Sequence, residues 1–354
     1  MEFETLKKEY KRRTLFKLLF IALCISFVVI TGAISITIGG YDISPIRVYE
    51  VIYDHITGKQ LEQFSKEWYD DFIVWDNRLP RVLFAILAGF GLAISGVAMQ
   101  SIMKNPLAEP YTTGVASGAH LGVSIAMGMG ILIIAEPFGM IGNAFLFSLI
   151  PVALIIIFSS RLGDSVASII LVGTALTYLF NAFSTYILVH LDSESLSNVY
   201  RWQVGTVSAI SWDNLTLVAV AVISGSILIH LLSNRLNMMA MGDNNAKSLG
   251  VNVRRLRIII MVIMAIIVSI IISFAGILGF VGLICPHIIR MIIGSDNRFV
   301  IPAASAFGAA FLLFADTVAK YLSSLDDIPV GVVCSFIGAP IFLIILIRNR
   351  RGIW

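Results

Sequence analysis

Long apolar stretches separated by short polar connections fill most of this chain. Mainly apolar segments run at 15–38, 80–102, 112–134, 140–160, 166–190, 215–233, 256–277, 280–294, 300–322 and 330–348. Most are near the ~20 residues that an α-helix needs to cross the hydrocarbon core of a bilayer. The pattern predicts an all-α polytopic membrane protein of about ten transmembrane helices, with residues 1–354 forming a single domain. Between 256 and 294 the apolar run is broken by Gly276, Gly279, Gly282 and Pro286. A bend is expected there, with one full span followed by a shorter, partly re-entrant one. The first stretch follows a charged head, as in a signal peptide. It is longer than a signal core and no A-x-A site follows, so it reads as a retained first span.

Composition narrows the class. Of 354 residues 58% are hydrophobic and 13% charged, and the mean hydropathy is +0.90. A soluble fold cannot cover that much apolar side chain with polar surface, which excludes a soluble enzyme, a disordered chain and a nucleic-acid binder. The net charge of +3 matters only once it is mapped onto the loops. With ten spans both termini share one side, and eighteen of the 25 basic residues fall there, against seven of the 22 acidic ones. By the positive-inside rule that side is the cytoplasm. The expected layout in the cell membrane is a cytoplasmic N-terminus at 1–14, an extracytoplasmic loop at 39–79 and a cytoplasmic loop at 235–256. In the outer loop Trp68, Tyr69, Phe72 and Trp75 read as an interfacial belt. Cys24, Cys285 and Cys334 lie far apart inside apolar runs, without metal-ligand spacing, and read as packing residues.

Four constellations stand out. The first runs from Arg78-Leu-Pro-Arg81 through Ser95-Gly96, Gln100 and Asn105-Pro-Leu-Ala-Glu-Pro110 to Gly114, Gly118 and Gly122. The last three, four residues apart, make a smooth face on which a second helix backbone can pack closely. The two prolines force a non-helical connection. The second is the loop from Leu236 to Arg257, where Gly242 and Gly250 bracket a stretch long enough for a two-turn helix. Asp243 suits its N-cap, and Ala246 and Leu249 fall at i,i+3 on one face. A short helix with an apolar face could fill a groove on a soluble partner. The third is Gly276-x-x-Gly279-Phe-Val-Gly282-Leu-Ile-Cys-Pro286-His287-Ile-Ile-Arg290, and the fourth runs from Asp327-Ile-Pro329-Val-Gly331 to Gly338-Ala-Pro340.

Together these motifs, in this order over about residues 75–350, resemble the permease subunits of ATP-binding-cassette importers for iron–siderophore complexes, haem and cobalamin (FecCD-type). The resemblance implies a type II importer architecture and a homodimer around a central pathway. It also implies two cytoplasmic ATP-binding subunits that carry ATP and Mg, and an extracytoplasmic substrate-binding protein that delivers a metal chelate. The permease itself would hold no cofactor and no metal. The family's coupling helix maps onto Gly242, Asp243, Ala246, Leu249 and Gly250, with Arg254 following; the family more often has Glu where Asp243 stands. Arg78 and Arg81 match basic positions that receive acidic residues of the binding protein, and Lys320 resembles a third, with Lys replacing Arg. The inner gate falls at about Ser165 to Ser168.

The residues themselves agree that energy comes from another subunit. There is no G-x-x-x-x-G-K-[ST], so the chain has no such phosphate cradle. No acid stands clearly at a span centre, where ion-coupled carriers place theirs: Glu109 is in the proline-bracketed turn and Asp316 lies toward the outer end of span nine. His287 reads as a hydrogen-bonded structural group, and His120 as a pathway or ligand candidate beside the glycine face. An ion-coupled secondary transporter and an importer of oxyanions such as molybdate or tungstate are the alternatives. An intramembrane enzyme lacks its chemistry, since no H-E-x-x-H, Cys/His cluster or G-x-S-x-G occurs.

Overall fold

The structure, a computed structural model, describes residues 2–162, 165–323 and 328–348. Among them the chain is helical throughout, without a strand. Ten helices follow the ten apolar segments: α1 (Glu2–Thr37), α4 (Leu79–Met103), α5 (Val115–Met129), α6 (Gly139–Leu162), α7 (Val166–Leu188), α9 (Trp212–Leu231), α12 (Val253–Ala275), α13 (Val281–Ile293), α14 (Asn297–Leu322) and α15 (Val330–Arg348). Eight are long and apolar enough to cross a membrane. The 15-residue α5 and the 13-residue α13 are shorter. Each follows an irregular connection that supplies part of the depth, a 3-10 turn at Pro110–Thr113 and the glycine-rich stretch Gly276–Phe280. The expected bend within 256–294 is therefore present.

Burial separates centre from rim. In the most apolar windows of α4, α12 and α14, 78%, 72% and 72% of residues are buried; for α1, α7 and α15 the shares are 22%, 22% and 28%. Most of the largest fully enclosed side chains lie on α4 and α12, among them Phe84, Leu92, Met99, Ile260 and Met264. Around them the chain gains stability by close packing, because lipid is as apolar as the side chains and no hydrophobic drive separates them. The glycine face works as its spacing predicts. A Cβ on Gly118 or Gly122 would collide with the backbone carbonyls of Phe147 and Asn143 on α6.

Outside the spans the structure departs from the expected loop at 39–79. That region holds α2 (Pro45–Ile56) and α3 (Lys66–Asp71), and α3 continues through a π-helical stretch, Phe72–Arg78, into α4. The result is one helical run from Lys66 to Met103. Val48 and Val51 of α2 pack on Val74 in a small core of their own. The aromatics join this cap: Trp75 stacks on His55 at 3.9 Å, and Trp212 Nε1 donates to Trp75 O at 2.9 Å. Pro45 at N1 with Ser44 as N-cap starts α2, a signal that was legible locally. The same side carries α8 (Ser193–Val204). On the side of both termini lie α10 (Ser233–Ala240) and α11 (Asp243–Ser248).

Candidate functional site

On the side of the termini, α11 is a six-residue helix between two glycines of positive φ, Gly242 at 109° and Gly250 at 82°. A side chain with a Cβ rarely adopts either conformation. Asp243 is its first residue, with Gly242 rather than Asp243 in the capping position. The Asp243 carboxylate accepts from Lys104 Nζ at 2.9 Å, just past the end of α4, and from Arg257 Nη2 at 3.1 Å on the first turns of α12. Burial alone would favour its protonated form, but hydrogen bonds and charge from Lys104 and Arg257 outweigh this and hold the carboxyl below the usual range.

Below α11, α10 is moored to α14. Asn237 Nδ2 donates to Asp296 Oδ1 at 2.8 Å and Asn297 N donates to Asn237 Oδ1 at 2.8 Å. The hydrogen bonds from Arg298 hold Asp296 at about 2, with burial opposing and Asn237 assisting. Ala246 is fully enclosed against the bundle, whereas Leu249 is 57% exposed. The two residues do not share one buried face: Leu249 is the C-cap, its N–H still bonded to Asn245 O at 3.2 Å, and its side chain is left outside the packed interior. Leu249 instead borders a cavity of about 530 Å³ with Arg235, Met238, Gly250, Arg255 and Ile259. Arg254 stands exposed on the first turn of α12.

On the opposite side the structure corrects the docking assignment. Arg78 is buried, with 6% exposure. Its Nη1 donates to Ile36 O and Thr37 O, each at 3.1 Å, and Nη2 donates to Tyr41 O. The guanidinium thus caps carbonyls at the end of α1 that the helix leaves unpaired, and it presents no free charge. Lys320 is likewise enclosed: its side chain is 5% exposed, with Nζ 3.1 Å from Asp316 Oδ2 and 3.1 Å from Ser35 Oγ. Arg81 alone of the three reaches the surface, with 22% side-chain exposure, and its Nη2 lies 2.7 Å from Asp316 Oδ1. Asp316 is fully buried between the two cations. The i,i+4 spacing of Asp316 and Lys320 was a readable signal; the link to Arg81, 235 residues away, was not.

Of the gate candidates, Ser165 and Ser168 lie at the junction of the fourth and fifth spans, α6 and α7. Ser165 is the N-cap of α7, its Oγ accepting from Ser168 N at 3.1 Å and lying 2.9 Å from Ser168 Oγ, which gives both a capping role. Residues 163–164, just before them, lie outside the described residues, as does Asp327. His120 is 7% exposed within α5 and reaches no open surface. What sequence reading missed is a polar stripe on α7: Thr174, Tyr178, Asn181 and Thr185, all exposed. Their spacing of i, i+4, i+7 and i+11 puts them on one face. Hydrocarbon cannot satisfy such groups. The same periodicity test used for apolar faces, run on polar residues inside spans, would have found it.

Ten apolar helices, with a short glycine-bracketed helix on one side, define a polytopic membrane bundle. The sequence pattern of the FecCD transport family matches residues 27–348, and the chain belongs to that family. It is 36% identical over 282 residues to the hemin transport system permease protein HmuU of Yersinia pestis, covering 78% of this chain and 84% of that protein. With the molybdate import system permease protein MolB of Haemophilus influenzae it shares 31% over 326 residues, 92% of this chain and 94% of the other. A solved metal-chelate type ABC transporter, in an inward-facing conformation, superposes with a TM-score of 0.81 at 30% identity, covering 93% of this chain and 98% of that one. The chain is thus an ABC-importer permease with the type II fold, a multi-pass membrane protein and not an enzyme.

Proposed function

We propose that this permease forms, as a homodimer, the pathway by which a metal chelate of the iron–siderophore, haem or cobalamin type enters the cell. Both termini face the cytoplasm in this reading, and α11 docks in the ATP-binding subunit. The carrying observation is the double ion pair of Asp243. It joins α11 to the ends of α4 and α12, two of the three central helices, so a push on α11 moves the core rather than a slack loop. ATP-driven closure of the partner pair then has a rigid lever on the pathway walls, and a differential contact of this kind is what alternating access requires.

The pathway wall in this reading is the polar face of α7, together with the hollow of about 570 Å³ bounded by Gln203, Val204, Ile277, Ser335 and Phe336 at the opposite end. The binding protein docks on that end, where Arg81 is the accessible one of the three candidate cations and Asp316 its resident counter-charge. An incoming carboxylate would compete with Asp316 for it. Oxyanion import is the second reading, favoured by the similarity to MolB over 92% of the chain. The test is a ligand panel. The cognate binding protein is titrated with ferric siderophores, haem, cobalamin and molybdate, and the bound ligand is then followed into proteoliposomes holding the permease and its ATPase. Uptake of molybdate but of no chelate would overturn the proposed cargo, and uptake without ATP would overturn the mechanism.

A further inference from the structure

The side that carries α11 also holds a cavity of about 360 Å³ between the end of α4, α10 and α13. Gln100, Ser101, Lys104, His287, Arg290 and Ser295 line it, and no carboxylate does. Arg290 is held by neutral acceptors only: Ser101 Oγ at 3.0 Å, Asn297 Oδ1 at 3.1 Å, Val97 O at 3.3 Å and Ser295 O at 3.4 Å. Arg290 is half-buried and has no counter-charge among the described residues, an arrangement that favours a bound anion. Two more wall residues are incompletely satisfied. Gln100 is 4% exposed and donates Nε2 to Leu283 O at 3.1 Å, which leaves its buried Oε1 without a hydrogen-bond partner. His287, 3% exposed, leaves Nε2 unpartnered.

These groups specify an occupant. Arg290 calls for negative charge, which Lys104 at the rim reinforces, whereas Gln100 Oε1 can only accept and calls for a donor. A phosphate that keeps one proton offers both; sulfate at neutral pH offers the charge without the donor. We propose that this cavity binds a phosphate group carrying a P–OH, supplied as inorganic phosphate or as a phosphomonoester lipid headgroup. Lys104 Nζ also lies 2.9 Å from Asp243 Oδ1, so the occupant shares a cation with α11, and occupancy is linked to the position of that helix. The assignment is independent of the cargo.

The test uses the full-length chain in detergent at neutral pH, with thermal unfolding followed in phosphate, sulfate and chloride at equal ionic strength. Phosphate is expected to raise the midpoint by a few degrees above both other salts, since a ligand that binds only the folded state stabilises it. Ser295→Asp, which tethers a carboxylate beside Arg290, is expected to fold with an unchanged or higher midpoint and to lose the phosphate increment; Ser295→Asn keeps it. Equal midpoints in phosphate and sulfate, or an increment that survives Ser295→Asp, overturn the site. Equilibrium dialysis of labelled phosphate on the unaltered protein stands apart from any folding defect of the variants. Retention that sulfate does not displace supports the site, and no retention overturns it. Displacement of bound phosphate by phosphatidic acid but not by phosphatidylglycerol assigns a lipid source, and its failure assigns free phosphate; either outcome supports the pocket.

Discussion

Asp316 shows what a single residue decides in this protein. It is fully buried between Arg81 and Lys320, and removing its charge leaves two cations facing each other with little water. Asp316→Asn is therefore expected to destabilise the fold by about 3–5 kcal/mol, which a fall in the thermal unfolding midpoint would register; an unchanged midpoint refutes the buried cluster. Arg78 belongs to the same lesson. Its charge stood out on a side where bases are scarce, yet its hydrogen bonds go to the carbonyls of Ile36, Thr37 and Tyr41. A one-dimensional reading sees the charge but not the helix end above it.

Asp296 carries a pH dependence of definite sign. Its carboxyl binds a proton less tightly in the fold, where Arg298 and Asn237 donate to it, than in the unfolded chain. Its contribution is thus complete above the ordinary carboxylate value and is lost as the pH falls through about 2. Pepsin cleavage near α10 should rise steeply as the pH is lowered from about 4 towards 2. In Asp296→Asn, which cannot titrate, cleavage should already be raised at the upper end of that range and change little with pH.

At the scale of elements, α11 and α7 matter most. Leu249 ends α11, exposed at the mouth of a cavity, so Leu249→Asp is expected to leave the bundle folded while uncoupling ATP hydrolysis from transport. Reconstituted vesicles measure both, and normal uptake by the variant removes α11 from the coupling path. The short helix was visible in the sequence from its two glycines. Its partition into an inward Ala246 and an outward Leu249 was not, because that depends on where the helix stops. For α7 the polar stripe predicts access to water. Asn181→Cys should react with a membrane-impermeant maleimide, whereas Leu23→Cys on the rim helix α1 should not. The three native cysteines are buried and give a low background. Equal labelling at both positions would place α7 against lipid.

For the whole molecule the sequence was a good guide to helices and a poor one to side-chain partners. All ten apolar segments are helices, and the bend between α12 and α13 and the glycine packing of α5 on α6 were legible too. The outer region from 39 to 79 was expected as loop. It folds because α2 offers Val48 and Val51 to Val74, a core too small to leave a strong periodic signal.

Hydrophobic length and glycine spacing are local properties, and in a bilayer they are nearly sufficient: every backbone polar group must be satisfied within its own segment, so an apolar run of that length has to be a helix. Charges obey no such rule. A buried cation takes whichever acceptor the packing brings within about 3 Å. Only the tertiary structure decided that Arg78 caps α1, that Asp316 joins Arg81 to Lys320, that Asp243 ties α11 to the core, and that Arg290 faces a cavity with no acid in it.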